Sequence, residues 1–338
     1  MTINLHTCRI CGVQDNHPTY DVREMMFGTR EIFHYFQCTA CGCLQIDEIP
    51  EDVGRFYPPD YYSFSIKPNP PKHSALYRWL QKQRCRTALF GKGFKLNALL
   101  KPHIELPTEL FKQAAGISTG EVLIKSGIKN FSARFLDVGC GTYSHWLTHL
   151  AGLGFHNLVG ADPFINSDQS HGSVRIFKHE LHDIVGKFDL VTLHHSLEHM
   201  PRQHEVLQAA RMRLKEGGTC LVRIPIVSSL TWEIYGVNWV ELDAPRHLYL
   251  HSVNSITDIG RRARLKLIDI VHDSLPLEFY GSEQYLRDIP LNDPNSLWVN
   301  PNSTIFTSEE KAGFDAMATK ANTERNGGRA SFYFRAES

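Results

Sequence analysis

The chain has 338 residues, of which 42% are hydrophobic, so it can bury a sizeable core and form one large and one small domain. Its formal net charge is zero, but residues 1–70 hold five Lys or Arg against nine Asp or Glu. An acidic N-terminal module is a poor surface for a phosphate backbone, which argues against a nucleic-acid partner. The sequence has no signal-peptide pattern and no transmembrane run, so we expect a reducing, cytoplasmic compartment.

Two Cys-x-x-Cys-Gly motifs stand near the N-terminus. The first contains Cys8 and Cys11, and the second contains Cys38 and Cys41. Each motif turns tightly enough for two thiolates to converge, and two such motifs complete a tetrahedral metal site. We therefore predict a structural zinc ribbon over residues 1–66. Iron in a rubredoxin-like site is the alternative metal, and a pair of disulfides is the alternative without metal.

A proline-rich linker and a basic helical segment follow. Residues 67–72 read Lys-Pro-Asn-Pro-Pro-Lys, which is typical of a stiff linker. Residues 72–101 have apolar side chains at helical spacing, and their charged side chains are all basic. We expect a solvated helix face here, and the alternative is weak contact with an anionic membrane surface. Residues 67–130 are predicted to join the zinc ribbon to a larger domain at 131–338.

A glycine turn carries the strongest signal for ligand binding. Gly139 and Gly141 follow the apolar run at 135–138, and an amphipathic helix pattern begins directly after them. Glycines in such a turn let the backbone approach a ligand closely. The next apolar run ends at Asp162, 21 residues beyond Gly141, where a carboxylate can bind a ribose diol. The pattern therefore predicts the first two strands of a Rossmann-like, nucleotide-binding sheet.

The sequence Leu-Asp-Val-Gly-Cys-Gly-Thr at 136–142 resembles the first motif of class I S-adenosylmethionine-dependent methyltransferases. Further segments at 188–193, 197–199 and 214–224 follow in the order of that family, although Tyr143 stands where many members have another glycine. The resemblance implies an α/β fold with a seven-stranded Rossmann-like sheet and S-adenosylmethionine as the cofactor. It also implies a set of cofactor-binding residues: Asp137, Gly139, Gly141, Asp162, Asp183 and His194.

The segment His195-Ser196-Leu197-Glu198-His199 also matches the His-x-x-Glu-His pattern of zinc peptidases. In the methyltransferase pattern this segment is the loop between a strand and a helix, so we interpret the peptidase match as fortuitous. We expect His194 and His195 to line the crevice at the carboxyl end of the preceding strand.

The loop Pro245-Arg246-His247 resembles a loop of zinc-ribbon methyltransferases from bacterial polysaccharide and sugar modification. Related sugar C-methyltransferases carry Tyr-x-Glu-His there, and of these residues only His247 is present. The resemblance therefore implies O-methylation of a small hydroxylated metabolite, such as a sugar or a nucleotide-linked sugar. We predict His247 as the general base and His195 as the second candidate, with Asp243 either orienting the imidazole or serving the loop structure.

Two other functions stay open at this point. One is an RNA methyltransferase with a zinc-binding module, against which the acidity of residues 1–70 argues. The other is a non-catalytic protein with a methyltransferase fold. This alternative stays open because Tyr143 stands where many methyltransferases have a glycine. The acceptor, the methylated atom and the oligomeric state do not follow from the sequence.

Overall fold

The computed structural model describes residues 5–57, 73–111 and 117–337, so the predicted linker at 67–72 lies outside the described residues. The helices are α1 Ala75–Phe90, α2 Phe94–Leu100, α3 Thr119–Lys125, α4 His145–Leu153, α5 Gln203–Arg213, α6 Leu230–Tyr235, α7 Val253–Arg262, α8 Pro276–Leu286 and α9 Ser308–Thr323. The strands are β1 His6–Thr7, β2 Gln14–Asp15, β3 Thr19–Arg23, β4 Ile32–Gln37, β5 Leu44–Ile46, β6 Arg134–Val138, β7 Asn157–Ala161, β8 Gln169–His171, β9 Val174–Phe177, β10 Phe188–His194, β11 Leu214–Pro225, β12 Tyr249–Leu250, β13 Leu265–His272 and β14 Arg329–Ala336. Within the described ranges, none of these helices has the length and apolarity needed to cross a bilayer.

The large domain is built on a mostly parallel sheet with the strand order β13-β14-β11-β10-β6-β7-β9-β8. Strands β11, β10, β6, β7 and β9 are parallel neighbours, whereas β14 runs antiparallel between β11 and β13. The predicted α/β fold is thus confirmed. The predicted number of seven strands is wrong by one, because the short strand β8 folds back as a hairpin on β9.

Three neighbouring parallel strands determine where predicted cofactor-binding and catalytic residues meet. Gly139 follows β6, Asp162 follows β7 and His195 follows β10. Because these strands are parallel, their carboxyl ends lie at one edge of the sheet, which is where open α/β sheets bind ligands. Buried apolar side chains such as Leu136 and Leu193 fix the strands in the core and hold this edge in place.

The N-terminal module shares a sheet with the large domain. Strands β3, β4 and β5 form an antiparallel sheet, and β12, which lies far along the chain, adds to it as a fourth strand. In that pairing Tyr249 lies opposite Gln45, and Leu250 lies opposite Leu44. The module is therefore joined to the loop that precedes β12, which contains the predicted base His247.

A buried ion pair fastens the same loop to the module. Arg246 and Glu24 are both fully buried, with Arg246 Nη2 2.9 Å from Glu24 Oε1. The guanidinium also donates to Asp243 at 2.6 and 3.0 Å. The Glu24 carboxylate in turn accepts hydrogen bonds from the backbone amides of Phe27 and Thr29. Arg246 of the Pro-Arg-His segment is thus a structural residue that links two parts of the chain.

We expect Glu24→Gln to destabilise the fold, because it leaves part of the buried Arg246 charge uncompensated. Removing one partner of a buried pair costs about 3–5 kcal/mol, and with Asp243 still in place we expect a loss near the lower end. Urea unfolding measures the change. The matched control is Glu31→Gln, since Glu31 pairs with Arg55 at the surface and should alter stability by less than about 1 kcal/mol. Equal stability of the two variants would contradict the structural role of the pair.

The basic segment forms two helices instead of one. Gly91 and Gly93 have φ values of 61° and 81°, and this left-handed backbone ends α1 and precedes α2. Arg84 is buried and donates to Asn97 Oδ1 and to the backbone oxygen of Ile104, so one of the basic side chains is structural. Several apolar side chains of this hairpin are exposed, among them Leu76, Trp79, Phe94 and Leu99. Weak membrane-surface contact through residues 72–101 stays a prediction.

Candidate functional site

The four cysteines of the two N-terminal motifs come together. Cys8 Sγ lies 3.7 Å from Cys41 Sγ, and Cys11 Sγ lies 3.5 Å from Cys38 Sγ. All four sulfurs lie within 4.8 Å of one another, and none is in a disulfide. These separations are far longer than an S–S bond of about 2.05 Å, so the disulfide alternative does not hold. The site is compatible with the predicted zinc ribbon.

Each cysteine motif is a tight turn that requires its glycine. The amide of Gly12 donates to Cys8 O at 2.8 Å, and the amide of Gly42 donates to Cys38 O at 2.9 Å. The two glycines have φ values of 81° and 74°, a region that other residues rarely adopt. In both motifs the amide of the second cysteine also approaches the sulfur of the first at 3.5 Å. Four converging thiols without an open position suit a structural tetrahedral ion.

The glycine turn is held close to the loop after β10. Gly139 and Gly141 have φ values of 70° and 66°. A Cβ atom at Gly139 would lie 2.6 Å from Ser196 Cβ, so no larger residue fits there without movement. The Ser196 hydroxyl donates to the backbone oxygen of Val138 at 2.8 Å. The turn and the segment that contains His195 therefore pack directly against each other.

Asp162 is attached to the glycine turn. Its Oδ2 accepts a hydrogen bond from the amide of Gly141, and its Oδ1 accepts one from the amide of Phe164, both at 2.9 Å. The side chain is buried, and this burial raises the pKa of the Asp162 carboxyl. The carboxylate is thus oriented beside the turn by backbone donors, in the position from which the sequence predicts contact with a ribose.

Asp137 lies under the turn and contacts protein groups with both oxygens. The Ser144 hydroxyl donates to Oδ2 at 2.7 Å, and the Thr192 hydroxyl donates to Oδ1 at 2.8 Å. Ser144 also caps α4 by accepting a hydrogen bond from the amide of Leu147. Burial raises the pKa of Asp137 to about 6. These contacts give Asp137 a supporting position beneath the glycine turn, and contact with the cofactor stays a prediction.

The two other predicted cofactor residues lie in different surroundings. Asp183 ends a short 3₁₀ helix, is half exposed and has its Oδ1 3.5 Å from His182 Nε2. His194 ends β10 and packs edge-on against Trp146, with ring centroids 5.4 Å apart. Burial, followed by the charge of Arg223, lowers the pKa of His194 to about 3, so this imidazole is neutral near pH 7. Of the two, His194 lies at the strand edge beside α4.

His195 adopts an unusual backbone conformation next to a buried carboxylate. Its φ is 48°, in the left-handed region that is strained for a side chain with a Cβ. His195 Nδ1 lies 3.5 Å from Glu198 Oε1. Burial holds the pKa of His195 well below its usual range. The following residues Leu197–His199 form a 3₁₀ turn and not an α-helix, so the geometry of a helical His-x-x-Glu-His peptidase motif is not present.

His199 and His247 face each other in the interior. Their ring centroids are 4.7 Å apart. His199 Nδ1 lies 2.8 Å from the backbone oxygen of Arg246, and His247 Nδ1 lies 2.7 Å from the backbone oxygen of Glu241. A carbonyl oxygen only accepts, so we assign a proton to Nδ1 of each ring, and Nε2 is the nitrogen that can bind another ligand. The Glu198 carboxylate completes a group whose ligand atoms lie within 4.8 Å of one another.

Sequence reasoning did not find the contacts that four residues make in this region. Glu198 and His199 stand in a quoted motif, but nothing in the sequence indicates that His247 folds back onto them. Glu24 looks like an ordinary surface acid until its contact with Arg246 is known. Tyr35, fully buried in β4, donates its hydroxyl hydrogen to the backbone oxygen of His247 at 2.8 Å. The N-terminal module therefore supports the backbone of the predicted base.

Residues 105–270 match the family model described as "Methyltransferase domain". Among solved structures, a S-adenosylmethionine-dependent methyltransferase from Thermotoga maritima is 15% identical, with 64% of this chain and 87% of that chain covered and a TM-score of 0.39. One from Clostridium acetobutylicum is 13% identical, with coverages of 64% and 89% and a TM-score of 0.38. Phosphoethanolamine N-methyltransferase 2 from Haemonchus contortus is 16% identical, with coverages of 64% and 51% and a TM-score of 0.40. No curated protein matches the sequence.

The structural similarities are too low to support an argument about substrate. The family match, by contrast, covers the glycine turn, Asp162 and the whole segment from His194 to His247. It agrees with the sheet order and with the position of the turn at the carboxyl end of β6. Residues 105–270 therefore match a methyltransferase domain, and the chain is a methyltransferase.

Proposed function

We propose that this enzyme methylates a hydroxyl group of a small metabolite, and that the acceptor is a sugar or a nucleotide-linked sugar. The observation that carries the proposal is the position of His195, His199 and His247 beside the glycine turn, in contact with it through Ser196. Imidazoles suit the removal of a proton from an acceptor hydroxyl near pH 7. The sugar class rests on the resemblance of the Pro-Arg-His loop.

The residues of the chain divide into two groups in this proposal. S-adenosylmethionine supplies a methyl group on a sulfonium, which is already a good leaving group. The glycine turn and Asp162 hold the cofactor at the carboxyl edge of the sheet, so that the methyl group and the acceptor are aligned. The acceptor proton goes to a histidine Nε2, and His247 and His195 are the two candidates predicted from the sequence.

The N-terminal module has a supporting role in the proposal. The four-cysteine site holds a structural zinc ion, for which a closed set of thiolates is the usual ligand set. This ion stabilises the module from which Glu24 and Tyr35 reach the loop of His247. We keep the division into a zinc ribbon at 1–66, a linking segment at 67–130 and a methyltransferase domain at 131–338, with β12 as the strand that crosses between the first and the last.

We expect Asp162→Ala to weaken the binding of S-adenosylmethionine. The variant removes a carboxylate acceptor of the ribose hydroxyls, and a hydrogen bond to a charged group contributes about 1.5–3 kcal/mol, which corresponds to roughly 10- to 150-fold in affinity. Isothermal titration calorimetry measures the dissociation constant. Asp315→Ala, at an exposed position of α9, is the control. If Asp162→Ala and the control bind the cofactor as tightly as the unaltered protein, the ribose contact lies elsewhere.

A further inference from the structure

We propose that Glu198, His199 and His247 form a second metal site, distinct from the four cysteines, and that it takes a divalent transition-metal ion. The three residues come from two segments almost 50 positions apart in the sequence. They converge next to the glycine turn, and each offers one ligand atom within 4.8 Å of the others.

The two imidazoles are oriented as metal ligands usually are. A histidine that binds a metal through one ring nitrogen commonly donates the hydrogen of the other to a backbone carbonyl or a carboxylate. His199 Nδ1 has Arg246 O at 2.8 Å, and His247 Nδ1 has Glu241 O at 2.7 Å. The Tyr57 hydroxyl also contacts His199 Nδ1, at 3.0 Å. Both Nε2 lone pairs are therefore left for a ligand, and the Nδ1 contacts hold the ring planes in place.

The carboxylate of Glu198 is the second, independent observation. Its side chain is fully buried, and within the part of the chain that the structure describes neither oxygen has a hydrogen-bond partner. The nearest basic group is His195 Nδ1, 3.5 Å from Oε1, and Asp243 Oδ2 adds a further carboxylate 3.9 Å from His247 Nε2. A buried carboxylate without partners is costly. A cation bound between Glu198 and the two imidazoles would satisfy it.

The ligand set determines the kind of ion and its use. Two imidazoles and one carboxylate suit transition metals such as zinc or iron better than magnesium or calcium, which prefer oxygen ligands alone. Three protein ligands leave coordination positions open, as in catalytic sites, whereas the four cysteines leave none. The open positions would receive the acceptor hydroxyl, and this use of the site rests on the proposed function.

With an ion in place, the proton-accepting role falls to His195, because His247 Nε2 becomes a ligand. The acceptor oxygen forms a bond to the methyl carbon, and the carbon–sulfur bond breaks with its electron pair remaining on sulfur. The hydroxyl proton goes to His195 Nε2, so charge and atoms balance. The sequence-based ranking of His247 above His195 as the base is then reversed.

The number of zinc ions per chain tests the proposal without any acceptor. The full-length protein is dialysed to equilibrium against micromolar zinc, and bound metal is counted by elemental analysis. We expect two ions in the unaltered protein, one in Glu198→Gln and one in His247→Gln. Glu205→Gln is the matched control, since Glu205 is exposed on α5 and lies next to Arg202.

The proposal is overturned if the unaltered protein binds a single zinc, or if both site variants still bind two. For a variant that does not fold, anomalous diffraction from crystals of the unaltered protein grown with zinc gives an answer that needs no mutation. The expected result is a peak about 2.0–2.2 Å from Glu198 and from both Nε2 atoms, and a peak only at the cysteines would contradict it. Neither measurement involves methyl transfer. A missing second ion would therefore not contradict the proposed O-methylation, and a different acceptor class would not contradict the metal site.

Discussion

Replacing Cys38 by Ser is expected to release the ion from the four-cysteine site and to unfold most of the module at 5–57, while the central sheet persists. In small zinc domains the metal contributes about 10–16 kcal/mol of apparent binding free energy that is also folding free energy. Hydrogen exchange measured by mass spectrometry reports the two regions separately. We expect fast exchange in β3–β5 and near-native protection in β6 and β10.

The same variant should also lower methyl transfer, because the module supports the His247 loop through Glu24 and Tyr35. Cys43→Ser is the matched control: Cys43 is equally buried in the module but is not one of the four grouped cysteines. We expect Cys43→Ser to keep its metal content and its protection. Protein purified without chelator that contains no metal at all would contradict the zinc ribbon, as would unchanged exchange in Cys38→Ser.

Replacing His247 by Gln is expected to lower the rate of methyl transfer by about 10²–10⁴, with cofactor affinity retained. The glutamine amide can still donate to Glu241 O, so the loop keeps its hydrogen bond while Nε2 is lost. Single-turnover transfer of labelled methyl measures the rate, and calorimetry measures the affinity.

His34→Gln, at an exposed position of β4, serves as the control for His247→Gln. A rate near that of the unaltered protein across pH would show that His247 is neither base nor ligand, and His195→Gln becomes the variant to examine. Metal content separates the two roles, because loss of a base leaves the ion count unchanged and loss of a ligand lowers it.

The geometry of the glycine turn and of Asp162 could be predicted from the sequence because its signals are local. The strand before Gly139, the turn itself and the strand before Asp162 each lie within a short stretch whose hydrophobic pattern and glycines determine the backbone. Parallel pairing of β6 and β7 then brings Asp162 to the turn without any information from elsewhere in the chain. The paired cysteine motifs are local in the same sense.

The surroundings of His247 could not be predicted because their contacts join distant segments. Pairing of β12 with β5, the Glu24–Arg246 ion pair and the approach of His247 to Glu198 each depend on how the N-terminal module packs against the large domain. No periodicity in the sequence records such packing. The extra strand β8 was missed for a related reason, since a three-residue hairpin strand has too few residues to show an alternating pattern.

The destination of the methyl group tests the central claim most directly. The purified enzyme is given S-adenosylmethionine with a labelled methyl group, together with either a small-molecule extract of the source cells or their total RNA. The account predicts label in the small-molecule fraction, as a methyl ether that mass spectrometry places on a sugar oxygen, and far less of it with His247→Gln. Label found only in RNA, only on carbon, or in neither fraction would contradict it.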